Sequence, residues 1–222
     1  MVSKQIHTSP NQVAIKASVV QSDTTSVRPI QSDSIESFVG RKYKVVYADP
    51  PWHFKTRSKA GQKRSPSSKY CTMSLDEIAA LPISSIADND AVLFLWIYAP
   101  LIGRAERIMN SWGFELVSTG FNWVKMTKSL PQRPKLGCGY YTRKQSELCL
   151  LGRRGKPKRP NSKGVGEVIL APPREHSRKP DEVYDRIERM YDGPKVELFA
   201  RGVRPGWDCF GDELSKFSNL GA

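Results

Sequence analysis

Apolar positions along this chain fall into two patterns. YKVVYA (Tyr43–Ala48) and AVLFLWIYA (Ala91–Ala99) are near-continuous apolar runs rich in β-branched and aromatic residues, which predicts strands covered on both faces. FELVSTGFNWVK, SELCLLG, EVILA and KVELFAR read as further strands. Between them lie stretches of helical period. SLDEIAAL begins at Ser74, an N-cap with Glu77 at the capping-box position three residues on. PLIGRAERIMNSWG opens on Pro100, stops at Gly113 and sets Ile102, Ile108, Met109 and Trp112 on one side. KPDEVYDRIERMYDG opens at Pro180, carries Asp181 and Glu182 in its first turn, and aligns Val183, Ile187 and Met190. Strands alternating with helices predict an α/β fold with a mostly parallel central sheet and helices on both faces. Residues 1–40, rich in Ser, Thr, Gln and Pro, are expected to form a flexible arm, within which QVAIKASVV could add an edge strand. The domain proper is expected to span 41–215, with 216–222 as a tail. Trp96, Trp112 and Trp123 fall in the apolar patterns and are expected in the core.

Composition narrows the partners. A formal net charge of +13 points to a polyanion, above all nucleic acid. With 39% hydrophobic residues, the chain can build a core without disulfide staples. Cys71, Cys138, Cys149 and Cys209 form no C-x-x-C pair and stand at no zinc-ligand spacing to the three histidines, so no metal is expected. Scattered cysteines suit a reducing, cytoplasmic setting. The opening MVSKQIHTSPNQ has no apolar leader core, and no run is long enough to cross a bilayer, so no membrane partner is expected.

The chemistry concentrates where the first strand ends, in ADPPW. Ligands of open α/β sheets bind at the carboxyl ends of strands, which is where Asp49 falls. Pro50 and Pro51 have fixed φ and offer carbonyls but no N–H groups. Pro51 also keeps Pro50 out of helical geometry. The outcome is a rigid hook presenting a carboxylate beside a backbone carbonyl, with Trp52 as a flat wall. Two acceptors and a stacking face suit an exocyclic amine on a planar ring, such as that of adenine. That amine is a poor nucleophile because its lone pair is delocalised into the ring. Hydrogen bonds from its two N–H groups would favour pyramidalisation and free the lone pair for attack on an electrophilic methyl. The base would have to leave its stack to reach the hook. An isolated D-P-P reads more simply as a strand-ending turn; D-P-P-W behind a buried strand does not.

Two basic zones flank this chemistry. Lys55, Arg57, Lys59, Lys63, Arg64 and Lys69 occur within 15 residues free of acids, which predicts a phosphate-gripping lid after the hook. A second zone runs from Lys125 to Lys163. There Tyr140 and Tyr141 are candidates for stacking on bases or for the core, and Arg143, Arg153 and Arg154, with Lys156, Lys158 and Arg159, are expected to meet the nucleic-acid backbone. His53 and His176 are weaker candidates, because a methylated amine becomes acidic and can lose its proton to solvent.

ADPPW, followed by KYCTMSLDEIAAL, resembles the signature of the MT-A family of S-adenosylmethionine-dependent amino-methyltransferases. That family includes the catalytic subunit of the eukaryotic messenger-RNA N6-adenosine methyltransferase and bacterial and phage relatives. The similarity continues in order through AVLFLWIYAP, WGFELVSTGFNWVK, GYYTRKQSELCLLGRRGKP, HSRKPDEVYDRIERM, KVELFAR and GWDCFGDEL, from about Tyr43 to Leu214. It implies a Rossmann-like methyltransferase fold and S-adenosylmethionine as cofactor. It further implies that Asp49, Pro50, Pro51 and Trp52 orient the target amine, with Asp49 also close to the methyl donor. Lys179 would meet the donor's carboxylate, Phe199 and Arg201 would line its adenosine and ribose, and Asp212 and Glu213 would accept hydrogen bonds from the ribose hydroxyls. Two departures stand out: Asp212 where the family often has Asn, and a GVRPG segment shorter than that of the eukaryotic enzyme. By likeness to the compact bacterial and phage members, the expected substrate is DNA rather than RNA. RNA as the methylated polymer, a non-catalytic nucleic-acid-binding subunit and methylation of the cytosine amine stay open, as does a homodimer or heterodimer.

Overall fold

The computed structural model describes residues 30–53, 72–139, 141–175 and 178–217. These residues form eight strands: β1 (Gln31–Ser32), β2 (Tyr43–Ala48), β3 (Ala87–Ile97), β4 (Glu115–Lys125), β5 (Ser146–Arg154), β6 (Val168–Ala171), β7 (Lys195–Leu198) and β8 (Asp208–Phe210). The helices are α1 (Leu75–Ala80), α2 (Ile83–Ile86), α3 (Ile102–Ser111) and α4 (Glu182–Met190). The strands make one sheet in the order β1-β8-β7-β2-β3-β5-β4-β6. Every neighbouring pair is parallel except the two involving β5, which runs backwards between β3 and β4.

Strand periodicity divides the core into two layers. Val46, Leu93 and Leu95 face α1, α2 and α3, packing with Ile78, Ile83, Ile108 and Trp112. Val45, Tyr47, Val92, Phe94 and Trp96 face the other way, toward Val183 and Ile187 of α4. The apolar runs read in sequence as doubly covered strands are therefore the central pair β2 and β3. Trp96, Trp112 and Trp123 are buried, as their patterns imply. The Ser74–Glu77 capping box forms in both directions at the start of α1.

The boundary expected at residue 41 falls too late. Gln31 and Ser32 pair with β8, and Ile35 and Phe38 are buried. Asp208 secures this segment by accepting the Ile30 N–H (2.6 Å), the Arg41 guanidinium (2.6 Å) and the Tyr43 hydroxyl (2.5 Å). A strand of two residues carries too little pattern to be recognised before its partner is known. At the other end, Phe217 donates its N–H to the Arg201 carbonyl (3.0 Å), so the expected tail also starts inside the fold. QVAIKASVV lies outside the described residues.

Just past β8, Gly211 lies so close to β7's exit that an added Cβ would stand 2.1 Å from the Ala200 carbonyl oxygen. Gly211→Ala is expected to destabilise the protein by about 1–3 kcal/mol, read as a lower urea midpoint with an unchanged slope.

Candidate active site

Because β2, β3 and β7 are parallel, their carboxyl ends share one edge of the sheet, and β5, running backwards, begins at that same edge. Asp49 leaves β2 with its N–H directed at the Leu198 carbonyl of β7 (3.5 Å). The hook then closes tightly. The Trp52 N–H donates to the Pro50 carbonyl (2.8 Å) across a three-residue turn, and Met73 N–H donates to the Pro51 carbonyl (2.8 Å). His53 N–H returns a bond to the Met73 carbonyl (3.0 Å), so the segment before α1 braces the hook.

Trp52 does not stand free as a stacking wall. Its ring is buried in the core layer under the hook, 7% exposed, and its indole N–H donates to the Trp96 carbonyl (3.1 Å). A large aromatic with one N–H is most stable where the ring is covered and the donor partnered, and the end of β3 supplies both. Pro50's carbonyl has already accepted one hydrogen bond, and its second lone pair is what it can offer a ligand.

At the centre is a buried ammonium. Lys179, just before α4, has a side chain only 9% exposed and places Nζ 2.5 Å from Asp49 and 3.4 Å from Glu147, over the Trp96 ring at 5.1 Å. Burial alone would lower the lysine; the two carboxylates reverse this and hold it above its ordinary value. For Glu147, burial pushes up, but Lys179 and Lys125, which also pairs with it, pull the net position below the usual range. Glu147 belongs to no sequence motif of the site. Its signal is that it is the lone acid between Lys125 and Lys163, and its importance depends on β5 running backwards.

Beside this triad opens a cavity of ≈ 450 Å³, within the range of small-molecule sites. Asp49, Lys179, Phe199 and Arg201 line it, together with Tyr47 and Glu197. Phe199 takes φ 63, a left-handed conformation costing a phenylalanine about 1–3 kcal/mol, and this bend turns the chain at the end of β7. Glu197 is pushed up to about 8 by burial, with Asp49's charge adding to the effect; Tyr184 donates its hydroxyl to it (2.9 Å). Arg178 also lines the cavity, stacked on Phe217 (5.1 Å), and its Nε is buried without a partner among the described residues.

The other expected residues divide into three groups. Glu213 reaches the site through Arg201 (3.4 Å), whereas Asp212 is exposed and outside the cavity wall. Tyr141 is 84% exposed and Arg143 holds the Gly137 carbonyl, both on the loop joining β4 to β5 at the cavity edge. Arg153 and Arg154 are not near the cavity. They end the reversed strand at the opposite edge, where Arg153 pairs with Glu115 (3.0 Å) and Arg154 donates to the Ser84 carbonyl (2.7 Å). Lys55, Arg57, Lys59, Lys63, Arg64, Tyr140 and His176 lie outside the described residues.

The raised Glu197 carboxyl has a consequence for stability. The folded state holds this proton more tightly than the unfolded chain, so stability is fully present below the ordinary value of 4.5 and falls as pH rises through about 8. Glu197→Gln keeps an acceptor for Tyr184 without the charge. The melting temperature of that variant, relative to the parent, is expected to climb across this window and level off above it.

Comparison with known proteins agrees with this geometry. A family model described as MT-A70 matches residues 43–213. The type II methyltransferase M.MunI of Mycoplasma sp is 34% identical over 207 residues, covering 86% of this chain and 85% of that protein. An N(6)-adenosine-methyltransferase MT-A70-like protein of Drosophila melanogaster is 34% identical over 216 residues, 92% of this chain and 33% of that protein. The human N(6)-adenosine-methyltransferase catalytic subunit METTL3 is 36% identical over 177 residues, 78% of this chain and 28% of that protein. The chain thus spans most of the bacterial relative and about a third or less of these two eukaryotic ones. With residues 43–213 matched in one continuous stretch, the chain belongs to the MT-A70 family.

Proposed function

We propose that this protein transfers a methyl group from S-adenosylmethionine to the exocyclic N6 amine of adenine in nucleic acid, and that the polymer is DNA. The observation that carries the reading is Asp49 in its hook, fixed by a buried lysine at the mouth of a cavity of cofactor size. DNA is preferred because the chain matches the bacterial type II methyltransferase along most of both lengths.

The residues present fit the donor. Phe199 supplies an aromatic wall, Arg201 and Glu213 supply polar partners for a ribose, and the orphan Arg178 Nε supplies a buried N–H for a carboxylate. When bound, S-adenosylmethionine provides a methyl on a positively charged sulfur. Lys179 has three N–H groups; Asp49 and Glu147 take two, leaving one for the donor. Its main work in this reading is to lock the Asp49 carboxylate in one position. Asp49 and the free lone pair of the Pro50 carbonyl accept the two N–H groups of the target amine. The amine lone pair is then directed at the methyl. Transfer of the donor's methyl would form a nitrogen–carbon bond and break the sulfur–carbon bond, and the methylated amine would give a proton to solvent. Trp52 contributes from beneath, as the packed floor that keeps the hook in register.

The test is transfer of a labelled methyl group to matched single-stranded DNA, duplex DNA and RNA, with product nucleosides identified by mass spectrometry. N6-methyladenine on DNA is expected, reduced at least about a hundredfold by Asp49→Ala with the fold retained. N6-methyladenine on RNA alone would move the substrate. Methylcytosine as the product, or an Asp49→Ala variant of full activity, would overturn the mechanism.

A further inference from the structure

The edge of the sheet opposite the cavity has a different electrostatic character. β5 runs from Leu148, beside Ile97 at the cavity edge, to Arg154, beside Ala91, a descent of about 20 Å at the rise of a strand. Beyond it the chain becomes a strap. Lys156 N–H donates to the Asp90 carboxylate (2.7 Å) at the start of β3. Asn161 N–H then donates to the Met190 carbonyl (2.8 Å), and its side-chain amide to Asp192 (2.7 Å), at the end of α4. The strap therefore runs from the start of β3 to the end of α4, along the edge of the sheet opposite the cavity. It presents Lys156, Lys158 and Arg159 to solvent, next to exposed Lys42 and Lys44 at the start of β2.

The cations that line the cavity are held differently from those of the strap. Around the cavity, Arg174, Lys179, Arg201 and Arg204 are each tied to a carboxylate. On the strap edge, the side chains of Lys44, Lys156, Lys158 and Arg159 have no ion pair or hydrogen bond among the described residues. The acids on this edge are Asp88, Asp90, Glu115 and Asp192; Glu115 pairs with Arg153, and Asp90 and Asp192 are occupied in holding the strap. Unpaired cations brought together repel one another and contribute nothing to the fold. They are, however, free to replace the counterions of a polyphosphate without first breaking a salt bridge.

We propose that this edge binds the phosphate backbone of a second segment of nucleic acid, separate from the segment whose base enters the hook. The inference rests on duplex DNA being the substrate. A duplex held at the cavity is too stiff to fold back across a domain of this size, with a persistence length of about 150 base pairs, so the second contact falls on a remote stretch or another molecule. Holding that stretch raises the effective concentration of target sites at the cavity.

The test uses the full chain and a quadruple variant, Lys44→Gln, Lys156→Gln, Lys158→Gln and Arg159→Gln. All four side chains are exposed and remote from the cavity, so donor binding by calorimetry should match the parent. Binding is measured against salt for a short duplex with one target site and for the same site within a polymer several hundred residues long. The parent is expected to take up two short duplexes and the variant one. On the long polymer, the slope of log affinity against log salt should fall by about 3 in the variant. Its kcat/KM should drop about tenfold there and stay unchanged on the short duplex. An unchanged slope and stoichiometry would overturn the proposal, as would equal losses on short and long substrates, which would make the strap part of the primary contact. Tighter binding to anionic vesicles than to either polymer, lost in the variant, would assign the edge to membranes and overturn it too. If the parent methylates no base but the variant still loses its second binding event, the edge is confirmed and the assigned reaction fails instead.

Discussion

The organisation of this protein depends on one buried ammonium between two carboxylates. Lys179, Asp49 and Glu147 come from the entrance to α4, the exit of β2 and the start of β5, and they meet because the sheet brings those three ends together. An ammonium in this position is stable only while both partners are present. Removing one partner from a buried pair costs about 3–5 kcal/mol, because the remaining charge stays desolvated. The same requirement fixes the geometry of Asp49: its carboxylate is tethered from the side while the prolines and the Trp52 indole hold its backbone from below.

Strand direction divides the molecule into two electrostatic regions. Were β5 parallel to its neighbours, Glu147 would lie at the far edge and Arg153 and Arg154 would flank the cavity. Its reversal delivers the acid to the site and carries the arginines away. The cavity wall becomes a network of matched charges, suited to holding a small polar molecule in one orientation. On the far side Arg153 and Arg154 are tied down, and Lys44 and the strap's Lys156, Lys158 and Arg159 stay unmatched, suited to a long polyanion whose contacts need no fixed geometry.

Much of this was legible in the sequence. β2 and β3 were visible because strands covered on both faces must be apolar throughout, and α1 and α4 because their first turns carry recognisable polar signals. The hook was visible because proline geometry is local. Strand direction is not local, so the placement of Glu147, Arg153 and Arg154 could not be read. Trp52 misled for a related reason: a tryptophan after a rigid turn looks like a platform until the carbonyl of Trp96, 44 residues on, is seen to accept its indole N–H. Residues 30–40 were assigned to the arm because their one strand is held by β8 and by Asp208, almost the whole domain away in sequence. The relevance of Arg178 comes from an Nε that is buried without a partner among the described residues, a property of the packed fold and not of any local pattern.

The central claim is that the methyl donor and Asp49 meet at the triad, and an experimental structure with S-adenosylhomocysteine tests it most directly. The account predicts the product's sulfur facing the Asp49 carboxylate and its adenine against Phe199. Its amino-acid end should reach the Lys179 and Arg178 side of the cavity, with the Asp49–Lys179–Glu147 contacts intact. A product bound elsewhere, or bound in the cavity with its sulfur turned away from Asp49, would contradict it.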